Sequence, residues 1–265
     1  MPQPPNILTI AGSDSGGGAG IQADLKTIMA LGCYGTSVIT ALTSQNGLGV
    51  AGIFAPEPDF AASQLETVLQ GFPISAAKTG MLFSAGIIRA VSPILRRQKF
   101  PLVVDPVCVS QSGSPLLQED AVTALKEELL PDCALLMPNR PEAELLSGLR
   151  ITDLDEAVVA GEKLLSLGAK AVLVKGGHME SSIVVTDVLC MAGQAPKTLP
   201  QAKVETRNNH GTGCTLSAAI AVGLGKGLPM QVAVTKAQEY LNLALRKSYN
   251  PGKGWGPVNH AAKVL

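Results

Sequence analysis

Short apolar runs alternate with longer amphipathic stretches along this chain. The run "NILTIAG" predicts a buried strand that feeds into glycines. "AGIQADLKTIMALG" then predicts a helix closed by Gly32. "GTSVITALTSQN" is rich in β-branched residues and ends in polar ones, as a strand does. "PDFAASQLETVLQGF" is amphipathic. Short strands are predicted at "SAAKTGM" and "PLVVDPV", with the helix-like "AGIIRAVSPILRRQ" between them. "EDAVTALKEELLPDCALLMPN" reads as helix then strand. "DLDEAVVAGEKLLSLGAKAVLVKGG" repeats that order, with Gly168 as the helix stop. "SSIVVTDVLCM" predicts a hairpin strand, and two helices start near Thr212 and Pro229. Strands alternating with helices predict an α/β fold with a mostly parallel sheet covered on both faces. Nothing that reads as a linker or repeat interrupts residues 1–265, so a single domain is expected.

Composition sharpens this picture by exclusion. With 46% hydrophobic and 16% charged residues, the chain can bury a large core and is not disordered. Twenty-one basic residues balance 21 acidic ones, and aromatics are only 3%. No basic stripe or stacking surface points to nucleic acid, and no polybasic cluster to a membrane. No apolar run has the length of a membrane span. The start "MPQPPNILTIAGSD" has neither a basic region nor a cleavable apolar core, so no signal peptide is expected. Cys33, Cys108, Cys133, Cys190 and Cys214 are scattered and form no C-x-x-C. That argues for a reduced, cytoplasmic protein without a disulfide framework or zinc knuckle.

Ligands of such folds sit at the carboxyl ends of the strands. Gly12 to Gly20, Gln45, Met81, Asp105, Asn139 to Glu142 and Lys175 to His178 fall there. "GSDSGGGAG" follows a strand and precedes a helix, as a dinucleotide loop does. However, the second strand ends in the neutral Gln45 and Asn46, where a ribose-binding acid is wanted. No Gly-Lys-Ser/Thr closes the loop either. What remains is a bare turn, or a turn that lets backbone groups approach a flat ligand. In the second case the Gln45 amide suits the edge of a heteroaromatic ring.

Asp105 follows an apolar strand and reads either as a loop cap or as a Mg²⁺ ligand acting through water. Asn139 and Glu142 in "NRPE" read either as a helix-capping pair or as a metal or phosphate site. Two acids at adjacent strand ends favour a divalent cation. Lys175, followed by two glycines, reads as a surface lysine or as a point charge for a nucleotide phosphate. His178 is equally ambiguous and gains no catalytic role. Met81, Cys108 and Cys133 read first as packing residues.

"HGTGC" opens the helix near Thr212. Three successive backbone N–H groups at a helix start carry the positive end of the dipole. Such a cradle binds phosphate without a lysine and neutralises charge in phosphoryl transfer. Cys214, just inside the turn, faces the acceptor.

"AGSDSGGGAGIQADLKT", "SQN", "KTGM", "VVDPV", "PNRPEA", "VKGGH" and "HGTGCTLSAAIA" together resemble the hydroxymethylpyrimidine/phosphomethylpyrimidine kinase family, within the ribokinase-like superfamily. The resemblance spans nearly the whole chain. It implies a three-layer sandwich and a homodimer. It implies Mg-ATP-dependent phosphorylation of 4-amino-5-hydroxymethyl-2-methylpyrimidine and then of its monophosphate, in thiamine biosynthesis. By the same resemblance Gln45 binds the pyrimidine edge, Gly12 and Ala19 give backbone contacts, and Met81 walls the pocket. Asp105 and Glu142 match the acids around Mg²⁺. Asn139, Lys175 and Thr212 match the nucleotide and phosphate side. Gly211, Thr212 and Gly213 match the anion hole, and Cys214 the catalytic position. Three positions depart from the family's usual pattern: Asn209 in place of Thr, Cys108 in place of Met, and Gln238 in place of Lys. Only the last removes a charge.

Many sugar kinases of this superfamily carry Asp at the position of Cys214. A carboxylate about 4 Å from a phosphate acceptor costs about 4 kcal/mol per unit charge at an effective dielectric near 20. A thiol that stays neutral avoids this, and a loose transition state demands only a weak base. Pyridoxal kinase is the nearest alternative activity. A pyrimidine-binding protein without catalysis and a nicotinamide oxidoreductase are the alternatives from other classes.

Overall fold

The computed structural model describes residues 3–108, 119–176 and 183–262. The expectation placed on His178 lies outside them. β1 (Asn6–Asp14), α1 (Gly20–Ala30), β2 (Tyr34–Asn46), β3 (Gly49–Phe54), α2 (Pro58–Gly71), β4 (Ile74–Thr79), α3 (Ala85–Arg96) and β5 (Leu102–Val104) make up the first half. The second half begins with α4 (Glu119–Ala124), which runs on through a π turn. After it come β6 (Leu135–Leu136), α5 (Arg140–Ser147), α6 (Leu154–Ser166), β7 (Ala171–Val174), β8 (Val184–Met191) and β9 (Lys197–Ala202), then α7 (Thr212–Gly225) and α8 (Met230–Arg246).

The nine strands form one sheet in the order β3-β2-β1-β4-β5-β6-β7-β8-β9. From β2 to β7 every pairing is parallel, while β3, β8 and β9 add antiparallel edges. Parallel strands are covered on both faces, so they read as continuous apolar runs. β5 and β7 do so throughout, and β1 over its first half, while β4 carries the buried Lys78. On one face the core draws on α2 to α6, with Leu65, Ile88, Leu125 and Leu164 buried. On the other it draws on α1, α7 and α8, with Ile28, Ile220 and Val234 buried. This is the expected three-layer sandwich.

The small residues of α7 have a packing reason. A Cβ at Gly225 would lie 2.4 Å from Ile7 Cδ1, and one at Gly223 would lie 2.8 Å from Ala233 Cβ. The helix therefore presses against both the sheet and α8. That contact aims its first turn at the strand ends.

Candidate active site

β1 ends on Asp14, and the first glycine loop is folded around that carboxylate. Oδ1 accepts the Gly16 N–H at 2.8 Å. Oδ2 accepts the N–H groups of Gly18 (2.9 Å) and Ala19 (2.8 Å) and lies 3.0 Å from His210 Nε2. Burial works against this charge, but the His210 bond and the backbone donors outweigh it. They hold the carboxyl below the ordinary aspartate value. A Cβ at Gly18 would lie 2.5 Å from His210 Cδ2, and one at Gly211 would lie 1.9 Å from the Gly18 carbonyl oxygen. The two glycine loops are thus packed directly on each other.

The residues expected at the substrate ring gather on this side. Gly12 sits where the β1–β2 register shifts, and a Cβ on it would approach Met81 Sδ to 3.1 Å. Met81 itself is buried. The Ala19 N–H is already committed to Asp14, so a ligand contact there does not use it. Gln45 ends β2, with Nε2 placed 3.4 Å from His210 Nε2. It lines a cleft of about 620 Å³ with Ser15, Thr43 and Val50.

The charged residues gather on the other side. Lys175 Nζ lies 2.9 Å from Asp105 Oδ1 and 4.0 Å from Glu142 Oε2. Burial disfavours the ammonium, yet Asp105 and then Glu142 raise the lysine above its ordinary pKa. Glu142 is raised chiefly by burial, with Lys175 opposing. The capping pair read from "NRPE" is formed: Asn139 Oδ1 accepts the Glu142 N–H, and Glu142 Oε2 accepts the Asn139 N–H. Glu142 Oε1 accepts the Cys108 N–H at 3.2 Å. Both oxygens of Glu142 are therefore engaged. Val107, between Asp105 and Cys108, has φ +35°, which is strained for a β-branched residue.

The turn 210–214 faces these charges. Gly211 caps α7 with φ +79°. A Cβ at Gly213 would lie 3.2 Å from Asp105 Oδ2 and 3.6 Å from Lys175 Nζ. The Thr212 N–H turns back to the Asn209 carbonyl at 3.4 Å, so it is not one of three outward donors. The N–H groups of Gly213 and Cys214 have no carbonyl partner among the described residues. The expected cradle is narrower than three successive donors.

Cys214 is partly exposed, and burial pushes its thiol up to about 12 although Lys78 opposes the shift. A helix start by itself lowers a thiol pKa, and desolvation outweighs that effect here. At neutral pH the Cys214 side chain is therefore the neutral thiol.

Beneath Cys214 lies a pair that the sequence did not reveal. Lys78 and Asp24 are fully buried and 3.1 Å apart, and the Thr9 hydroxyl donates to Asp24 at 2.6 Å. Burial opposes the Lys78 ammonium, but the Asp24 carboxylate chiefly, with Asp105 adding, holds its pKa above the usual value. Gln238 also gains a place: its Nε2 donates to the buried Asp187 Oδ2 at 2.7 Å, and Asp187 Oδ1 accepts the Gly176 N–H. The departure at 238 leaves that aspartate a neutral partner. Among the described residues, no cluster of three His, Cys, Asp or Glu is arranged to hold a metal alone.

Comparison with known proteins places the chain in a family. Residues 14–259 match the phosphomethylpyrimidine kinase family model. A hydroxymethylpyrimidine/phosphomethylpyrimidine kinase of Rhizobium meliloti is 49% identical over 257 residues, covering 96% of each chain. The thiamine biosynthesis bifunctional protein ThiED of Geobacter sulfurreducens is 47% identical over 256 residues. The match covers 96% of this chain but 52% of that protein, so the chain spans about half of its length. Among solved structures, the ADP complex of Bacillus subtilis pyridoxal kinase superposes with a TM-score of 0.90 at 33% identity, covering 99% of this chain and 100% of that one.

Proposed function

The chain belongs to the phosphomethylpyrimidine kinase family, and from that premise we propose that it phosphorylates 4-amino-5-hydroxymethyl-2-methylpyrimidine with ATP and then phosphorylates the monophosphate, for thiamine biosynthesis. One observation carries the reading. The start of α7 faces the Asp105–Lys175 pair on one side and packs on the first glycine loop on the other, where His210 lies beside Gln45. A ring held at Gln45 and a phosphate chain held at Lys175 then meet at Cys214.

In this reading the acceptor oxygen attacks the γ-phosphorus as the bond from that phosphorus to the β-phosphate oxygen breaks, and the alcohol proton passes to an oxygen of the transferred phosphoryl group, because a neutral Cys214 thiol cannot take it. The N–H groups of Gly213 and Cys214 take up charge growing on the transferred group. Lys175 supplies a point charge to the nucleotide. Mg²⁺ would neutralise the phosphates. Asp105 Oδ2, which has no hydrogen-bond partner among the described residues, fits it as a single carboxylate ligand or through water. Glu142 shapes that site from behind, since its oxygens hold Asn139 and Cys108. A homodimer belongs to the same reading. The cross-strand pair Leu42–Phe54, with Phe60 on α2, leaves an exposed apolar face for a second copy. Among the described residues no helix is long and apolar enough to cross a membrane.

Cys214 is neutral in this scheme, which spares an anionic acceptor from repulsion. Cys214→Asp places a carboxylate beside Asp24 and Asp105 and opposite the incoming phosphate. It is expected to slow the monophosphate step at least about tenfold more than the alcohol step. Equal losses in both steps would refute the charge argument. The activity itself is tested by ATP consumption with the pyrimidine alcohol, with its monophosphate and, as control, with pyridoxal.

A further inference from the structure

The hydrogen bonds around Gln45 decide which way its amide faces. Thr43 Oγ1 lies 2.9 Å from the Ser13 carbonyl oxygen and 3.1 Å from the Gln45 amide atom placed as Oε1. A hydroxyl has one proton, and two acceptors claim it here. The Ser13 carbonyl can only accept, so it takes the proton. At the other end of the amide, the Gln45 atom placed as Nε2 is 3.4 Å from His210 Nε2. That ring nitrogen also faces the Asp14 carboxylate at 3.0 Å, which already accepts three backbone N–H groups. His210 Nε2 therefore carries a proton, and a donor would face a donor.

Exchanging the amide oxygen and nitrogen gives Thr43 Oγ1 a donor and replaces the donor–donor contact at His210 with a longer, shared bond, in which the one Nε2–H serves Asp14 at 3.0 Å and the amide oxygen at 3.4 Å. Nε2 then donates to Thr43 Oγ1, and Oε1 faces the His210 N–H. We propose that Thr43 and the Asp14–His210 pair lock the Gln45 amide in this orientation, and that the lock selects a ring edge with an acceptor beside a donor in one fixed order. The inference rests on the reading that Gln45 faces the substrate ring. With the lock set, Gln45 keeps one N–H and one carbonyl lone pair for a ligand. An aminopyrimidine offers the complement at adjacent positions, a ring nitrogen next to an exocyclic amine. Its amine must sit on the His210 side and its ring nitrogen on the Thr43 side. Thr43, Asp14 and His210 are positioning residues, since they act through Gln45.

The test is Thr43→Val, which keeps the shape of a residue suited to a strand and removes the hydroxyl. Phosphorylation of the aminopyrimidine alcohol is measured, with the analogue lacking the amino group as competitive inhibitor. In the unaltered protein the amino compound binds the more tightly. In Thr43→Val that preference falls about tenfold, the loss appears in KM, and Thr43→Ser restores it. A merely structural role would weaken both compounds alike, so an unchanged preference in Thr43→Val overturns the lock. So does an unaltered protein that binds both compounds equally. If the unaltered protein fails to phosphorylate the aminopyrimidine at all, the reading of the site falls first and the lock falls with it.

Discussion

Gly211→Ala is expected to reduce kcat by about 100-fold or more with either acceptor. The cause is geometric. Gly211 holds φ +79°, and a Cβ there would lie 1.9 Å from the Gly18 carbonyl oxygen and 3.3 Å from Ala19 Cα. Relief of that contact must push α7 away from the first glycine loop. The Gly213 and Cys214 N–H groups then leave the place where the transferred phosphoryl group meets them. Gly227→Ala is the control. Gly227 has the same φ of +79°, but no atom of the described residues lies within 4 Å of the added Cβ. It should cost about 1–2 kcal/mol of stability from backbone strain and leave the kinetics alone. Steady-state rates of the two variants, with unfolding curves, separate cradle geometry from general stability. Equal activity in both would mean that the contact between the loops does not position the cradle.

Lys78→Met is expected to destabilise the protein by about 3–5 kcal/mol, because it strands the Asp24 carboxylate in the core. Both side chains are fully buried, and among the described residues Asp24 keeps only the Thr9 hydroxyl once the lysine is gone. Adding Asp24→Asn removes the stranded charge and should recover more than half of the loss. Urea unfolding of the single and double variants measures this coupling. The pair also acts on the site. Lys78 is the main group opposing the upward shift of the Cys214 thiol, so its loss drives that thiol further toward the neutral form. A single variant as stable as the parent would show that the pair is not charged.

Burial explains which parts of the fold were legible in the sequence. β1, β5 and β7 are enclosed by helices and appear as apolar runs with turn residues at their ends. β3 escaped notice because "GVAGIF" is one-third glycine and exposed along much of its length. β9, "KTLPQA", is an edge strand carrying Pro200, which its unpaired side tolerates. β6 has two residues and no periodicity to read.

The site divides in the same way. Gly211, Asp105 and Lys175 announce themselves because glycines and charges at strand ends are unusual. Lys78 does not, since a lysine in a short alternating strand reads as a solvent-facing residue. Its partner Asp24 is 54 positions away on a helix that looks ordinary. The Asp14–His210 bond joins residues 196 apart. Only parallel crossovers, which bring distant loops to one sheet edge, place such residues together. The raised pKa of Cys214 was equally out of reach. It depends on how deeply the first turn of α7 is set between strand ends, not on the local dipole that the sequence displays.

The central claim is that one site, between Gln45 and the start of α7, accepts first an alcohol and then a phosphate. The most direct measurement follows the pyrimidine alcohol, monophosphate and diphosphate over time, with purified protein and Mg-ATP. Inhibition of the first step by added monophosphate is measured in the same reaction. The account predicts that both products form and that the monophosphate inhibits the first step competitively against the alcohol. Formation of the monophosphate alone, or noncompetitive inhibition, would contradict a single site serving both steps.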